Sequence, residues 1–300
     1  VIVTDLFLTA AALAAEALDV PLAVCGWPAQ KEMNADFLFP VQKSLGNESI
    51  ERIGRLKERF GLQGRYFATG PTPSILSPHL HISYFSERWY LSDEMNLLPQ
   101  TLFVGGTPNP PQGSAPDWLN AIPADARIAL ITLGTTFTGD LGFFSWAAQA
   151  AARVGFVPLV VIGWNPLAPE DKAKLKAALP PTTRLLNFVP FDHVLPRTDL
   201  MIHHGGMGTT HAALIHGIPQ IVVPHAADQR GQARRVAQAK VGLNLSAHDV
   251  KQGMLLEGVR AIASDDKVRQ TARDLAAEMA ALGGAARAAE AVETIVSTSA

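Results

Sequence analysis

Two hydrophobic periods alternate along the chain. Short apolar runs at residues 127–133, 157–162, 184–189, 200–203 and 220–223 read as strands, the first of them nearly continuous, as in a strand covered on both faces. Between and beyond them, residues 143–154, 168–178, 209–216 and 229–240 carry apolar positions at helical spacing. Strand and helix in this order predict an α/β, doubly wound parallel sheet, whose ligands bind outside the C-terminal ends of the strands. The earlier part is less regular. It predicts strands at 1–4, 20–24 and 101–104, an alanine-rich helix at 9–18 and a helix at 51–60 stopped by Gly61. Residues 26–40 read as a loop, and 69–100, rich in proline, serine and aromatics, show no clean period. Glycine and proline crowd residues 105–117 and preclude a regular element there. The expected division is therefore 1–104, a linker at 105–124, a second domain at 125–282 and a tail at 283–300. Val268, Ala272, Leu275, Met279 and Leu282 form the apolar face of a late helix.

The most informative stretch is His204-Gly-Gly-Met-Gly-Thr-Thr210, which follows the strand at 200–203. A strand, a glycine turn and a helix start aim backbone N–H groups and the positive end of a helix dipole at one point, where an anion can sit. Glycines allow close approach, and the hydroxyls of Thr209 and Thr210 cap the helix or donate to the anion. A second unit, Gly217-Ile-Pro through His225-Ala-Ala-Asp-Gln229, ends a strand with a carboxylate beside an amide. Gly134-Thr-Thr, Phe188-Val189, the glycine turn and Asp228-Gln229 all fall at predicted strand ends. His203, His204, His211, His216 and His225 lie close in sequence, but no carboxylate completes a facial ligand set, so no metal site is expected.

From Phe188 to Val241 the chain resembles the donor-binding signature of inverting, nucleotide-sugar-dependent glycosyltransferases of the two-Rossmann (GT-B) type. The likeness rests on Phe188-Val-Pro-Phe-Asp-His-Val-Leu, His204-Gly-Gly-x-Gly-Thr-Thr, Gly217-x-Pro, Pro224-x-x-x-Asp-Gln and Ala233-Arg-Arg-Val. It implies two Rossmann-like domains, the first incomplete. Residues 1–104 would be the rear part of an acceptor domain, and 125–282 the nucleotide-sugar domain. Roughly a hundred residues would precede Val1, a plausible remainder for a domain of this kind. The resemblance assigns the diphosphate to His204, Gly206, Gly208 and Thr209, with Thr135 as a further donor, and the base to Phe188 and Val189. Asp228 and Gln229 would hold hexose hydroxyls, although Asp228 could instead cap the following helix. Phe188 could instead be a core residue at its strand end. Asp5, at the end of the first strand, matches the aspartate that orients a general-base histidine, which is not in the chain; its alternative is a cap on the helix from Thr9. On this reading the 300-residue chain alone would be inactive. The family's terminal helix returns to the first domain, and the late helix here either does so or packs on its own domain.

One position departs from the family pattern. Many members carry glutamate eight residues after the signature histidine, on the ribose; here Ala212 stands there, which leaves UDP and dTDP donors both open. No Asp-x-Asp is present, so the developing diphosphate charge is expected to be met by protein dipoles, without metal and without a cofactor. The expected reaction transfers a hexose from a UDP- or dTDP-sugar to a hydroxyl of a small hydrophobic acceptor, with inversion. A nucleotide-sugar epimerase on the same scaffold and a non-catalytic nucleotide-sugar-binding partner are the alternatives.

Composition adjusts this picture little. A net charge of −2 supplies no basic field for nucleic acid. No apolar run reaches membrane-spanning length, and Asp5, Glu16 and Asp19 interrupt the apolar beginning, unlike a signal peptide. The single cysteine, Cys25, suits a reducing cytoplasm.

Overall fold

The computed structural model describes residues 1–30, 40–71, 73–91, 97–135, 141–164, 167–225 and 228–298. The chain divides into two units, Val1–Gly106 with Met279–Ala300, and Thr107–Glu278. All ladders between the described strands are parallel.

Unit 1 contains β1 (Ile2–Thr4), α1 (Thr9–Ala17), β2 (Leu22–Cys25), α2 (Pro40–Phe60), β3 (Leu80–Ser83), α3 (Arg88–Leu91) and β4 (Thr101–Phe103). The strands lie in the order β1-β2-β3-β4. Successive side chains of a strand point to opposite faces, and β2 shows it: Leu22 and Val24 pack with Ala12 and Ala15 of α1, while Ala23 packs with Ile82 on the other face. Glu16 is buried at the end of α1, and its carboxylate accepts the backbone N–H groups of Gln63 at 2.6 Å, Gly64 at 2.8 Å and Arg65 at 2.8 Å. Those bonds pin the turn after α2.

Unit 1 departs from the sequence reading in three places. Helix α2 begins at Pro40, well before residue 51; Gly46 and Asn47 are weak helix formers and dilute its front half. Strand β3 and helix α3 lie in the stretch without a period. All four β3 residues are buried, so no exposed phase marks an alternation. Two of them, His81 and Ser83, are polar. His81 Nε2 accepts from the Ser77 N–H at 3.0 Å and its Nδ1 faces the Trp27 carbonyl at 3.3 Å; burial pushes its pKa down to about 4. Most of the expected loop at 26–40 lies outside the described residues; within its described part, Gln30 forms an isolated bridge with Leu97.

Unit 2 contains α4 (Asp117–Asn120), β5 (Ile128–Thr132), α5 (Leu141–Arg153), β6 (Val157–Val161), α6 (Pro169–Ala178), β7 (Arg184–Leu186), α7 (Phe191–Val194), β8 (Thr198–His203), α8 (Met207–Ile215), β9 (Gln220–Val222), α9 (Gln229–Gln238), β10 (Gly242–Asn244), α10 (Ala247–Lys251) and α11 (Met254–Ser264). Its six strands run in the order β10-β9-β8-β5-β6-β7, so chain direction across the sheet reverses between β5 and β8. The period of two sorts the core into two layers. Ala129 and Ile131 of β5 join Phe143, Phe144 and Val259 on one face, and Ile128 and Leu130 join Leu119, Val194 and Ala213 on the other. Each of the larger of these side chains (Ile, Leu, Val and Phe), fully buried, contributes roughly 1.5–3 kcal/mol. Leu119 and Ile122 belong to this core, so the second half of the expected linker is part of unit 2.

Helix α12 (Asp266–Ala281) carries the chain out of unit 2, and α13 (Gly284–Thr298) belongs to unit 1. Ala288, Ala291, Val292 and Ile295 of α13 pack on the face of the unit 1 sheet that carries Ala23 and Ile82. The segment expected as a tail is thus a helix, and it is the one that rejoins the first unit.

Candidate functional site

The C-terminal ends of β5, β6, β7 and β8 surround a cavity of about 520 Å³ in unit 2. Thr132, Gly134 and Thr135 follow β5; Gly163 and Trp164 follow β6; Asn187, Phe188, Val189 and Phe191 follow β7; His204 and Gly206–Thr209 follow β8. The cavity therefore straddles the point where strand order reverses, the usual ligand position in such sheets. Thr135, Phe188, Val189, His204, Gly206, Gly208 and Thr209, scattered in sequence, all line it.

His204 is buried, with only 7% of its surface exposed, and two glycines close on its ring. A Cβ at Gly206 would lie 2.5 Å from its Nε2, and one at Gly134 2.8 Å from its Cε1. Burial, and secondarily the nearby His225, lowers the His204 pKa to about 4, against the pull of a hydrogen bond to the Thr132 backbone. At neutral pH the ring is uncharged, and it enters the site as a fixed hydrogen-bonding group. It is not the cation that a phosphate-binding histidine suggests.

Its neighbour His203 has a different job. The ring is fully buried; Nδ1 accepts the Gly205 N–H at 3.0 Å, and Nε2 meets Gln220 Oε1 at 2.9 Å. Those partners place the ring proton on Nε2 and tie the glycine turn to β9. Burial drives its pKa to about 3, with His204 adding to the depression.

The glycines of the turn serve packing more than anion approach. Gly205 has φ +89°, and a Cβ there would meet Val222 Cγ1 at 2.7 Å; only at Gly208 is the space open. Helix α8 starts earlier than expected, at Met207, with Gly206 as N-cap and no side-chain cap bond. The threonines thus do not cap it: Thr209 lines the cavity, whereas Thr210 is fully buried.

Phe188 is 61% exposed, which removes the core reading, while Val189 is buried and faces the cavity from the core. Asp228 and Gln229 are not among the described residues lining the cavity. Gln229 is buried, and its Oε1 accepts the His225 N–H at 2.8 Å, closing the turn after β9. Asp228, exposed at the start of α9, makes no side-chain cap bond, and partial desolvation of its carboxyl raises its pKa. Asp5, in unit 1, accepts the N–H groups of Phe7 at 2.6 Å and Leu8 at 3.0 Å through Oδ1, an Asx-type turn leading into α1. Among the described residues no three of His, Cys, Asp or Glu converge as metal ligands.

Comparison with known proteins agrees with this fold. Residues 166–295 match the family model for the C-terminal domain of erythromycin biosynthesis protein CIII-like proteins. A demethyllactenocin mycarosyltransferase of Streptomyces fradiae is 31% identical over 59% of this chain and 38% of its own length. An NDP-glycosyltransferase, YjiC, of Bacillus subtilis is 26% identical over 100% of this chain and 73% of its own. Among solved structures, the glycotransferase of kitacinnamycin superposes with a TM-score of 0.77 at 25% identity, covering 98% of this chain and 75% of that one. A spinosyn rhamnosyltransferase, solved with thymidine diphosphate, shares the fold at a TM-score of 0.71 and 22% identity, over 97% and 72% of the two chains. Residues 166–295 thus carry the C-terminal domain of that family, and the chain shares the fold of the bacterial antibiotic glycosyltransferases it resembles. It spans well under half the length of the first of these relatives.

Several lining residues of this glycosyltransferase homologue escaped the sequence reading: Gly163, Trp164, Asn187 and Met207. Trp164 had a signal, since it comes just beyond a predicted strand, much as Phe188 stands at the end of one. Its ring lies 6.1 Å from that of Phe188, centroid to centroid, at an interplanar angle of 27°. Ala212 packs against the core layer of Leu130 and Met201.

Proposed function

We propose that the protein transfers a hexose from a UDP- or dTDP-sugar to a hydroxyl of a small hydrophobic acceptor, with inversion and without a metal. The observation that carries this reading is the segregation of chemistry along the cavity. His204, the glycine turn and the α8 N-terminus sit after β8; Trp164 and Phe188 sit after β6 and β7. With β5 between them, three strand spacings separate the extremes, roughly 14 Å. That matches the span of a nucleoside diphosphate laid across the strand ends. In this pose the diphosphate meets backbone N–H groups, the helix dipole and Thr135 and Thr209. Its developing negative charge is stabilised by dipoles already in place, and the neutral His204 ring adds a hydrogen bond. Phe188 stacks on the base, and the Val189 backbone reads its edge.

Asp228 serves the hexose hydroxyls, and Gln229 supports it by holding the turn on which it sits. Asp5, fixed by its two backbone bonds, orients the general-base histidine that the resemblance implies. In a single in-line displacement, the base takes the acceptor proton on the side opposite the departing diphosphate. The cytoplasm, where nucleotide sugars and reduced Cys25 coexist, is the proposed location.

Calorimetric titration of the chain with UDP, dTDP and UDP-glucose tests the donor site. Binding that weakens at least tenfold in His204→Ala is expected; no binding by the folded wild-type chain would defeat the reading.

A further inference from the structure

We infer that Trp164 is the outer layer of the nucleobase subsite and sets how tightly the base is held, an inference that rests on the nucleotide-sugar reading above. Trp164 is 73% exposed and Phe188 61%, although both are large aromatics and both line the cavity. Neither ring is held there by core packing. They stand on the loops after neighbouring strands, β6 and β7, and the sheet register brings Leu159–Val161 beside Arg184–Leu186. That pairing sets the two loops side by side and lets the rings stack at 6.1 Å and 27°.

A near-parallel pair of rings with exposed faces is a surface on which a further flat ring can stack. It lies at the end of the cavity away from His204 and the glycine turn, where a nucleoside diphosphate anchored by its phosphates would place its base. Stacking on aromatic rings tolerates any base, because every base has a π-face. Trp164 therefore strengthens UDP and dTDP binding alike, and leaves discrimination between the two to groups at the base edge. Phosphate recognition does not depend on it.

The test is titration of the 300-residue chain, wild type, Trp164→Ala and Trp164→Phe, with UDP, dTDP and inorganic pyrophosphate. Trp164→Ala is expected to weaken UDP and dTDP about tenfold, within the range of single base–aromatic stacks, with pyrophosphate affinity unchanged. Trp164→Phe should recover most of the loss. Wild-type UDP affinity in Trp164→Ala would overturn the inference and leave the nucleotide-sugar reading standing. So would an equal loss of pyrophosphate, since Trp164 would then only support the loop. A wild-type chain that binds none of the three would overturn both.

Discussion

Replacing Gly206 with alanine tests whether close packing is what positions His204. The backbone there has φ −60° and ψ 142°, open to any residue, so the substitution adds no conformational strain. The cost is steric. The new methyl would lie 2.5 Å from Nε2 and 2.9 Å from Cε1 of His204, where ordinary contact begins at 3.4 Å. Relief requires the ring to retreat by about 1 Å, the difference between 3.4 Å and 2.5 Å. Gly134 closes on the same ring, so the movement must disturb the loop after β5 as well. Overpacking of this kind costs about 1–3 kcal/mol, and a domain of this size loses roughly 2–4 °C of melting temperature per kcal/mol. Under the proposed function, a displaced His204 would also forfeit its hydrogen bond to the diphosphate. A hydrogen bond to a charged group is worth about 1.5–3 kcal/mol, so UDP affinity should fall about ten- to hundredfold. Gly208→Ala is the contrast for stability: nothing lies within 4 Å of its Cβ, it sits within α8, and it should melt at or slightly above wild type. Paired melting curves and calorimetric titrations would decide the matter. If Gly206→Ala melts with wild type and binds UDP equally well, the glycines do not fix the imidazole.

Three further outcomes are expected. Because burial holds the His204 pKa near 4, a diphosphate beside it must raise that value, and UDP binding near pH 5–6 should take up protons; calorimetry in buffers of different ionisation enthalpy that shows no uptake would contradict the placement of the anion. His81 and His203 are buried neutral with pKa values near 4 and 3, below the unfolded value of 6.5, so their contribution is complete above pH 6.5 and is lost as pH falls toward 3. Stability should therefore drop on acidification by up to about 1.4 kcal/mol per pH unit for each group, and urea midpoints that stay level from pH 7 to 4.5 would refute this. Glu16→Ala leaves the N–H groups of Gln63, Gly64 and Arg65 without their shared acceptor and should destabilise unit 1 by about 2–4 kcal/mol, whereas an unchanged unfolding midpoint would show that water replaces the carboxylate at little cost.

The sequence by itself determined most of the alternating strands and helices of unit 2 and which strand ends would meet at its cavity. Strands buried on both faces are written as apolar runs, and His204 through Thr210 can be read as a strand, turn and helix start because glycine and β-branched residues have strong local preferences. Phe188 and His204 were legible at the cavity because each lies at the end of a strand and parallel sheets gather their strand ends, whereas Thr135 and Thr209 were named through the family resemblance. Local rules failed where the decision was not local. Strand β3 was missed because His81 and Ser83 are buried by neighbouring segments, and burial of a polar residue leaves no mark in the alternation. Helix α13 was taken for a tail because only the sheet of unit 1 gives its apolar face something to cover. Tertiary structure alone decided that His204 is uncharged and clasped between glycines from two loops. It also turned Gln229 into a brace for its own turn, and set Trp164 against Phe188 across adjacent strands. Charge state and ring stacking depend on what stands within a few ångströms, and residues distant in sequence supply that only once the sheet has formed.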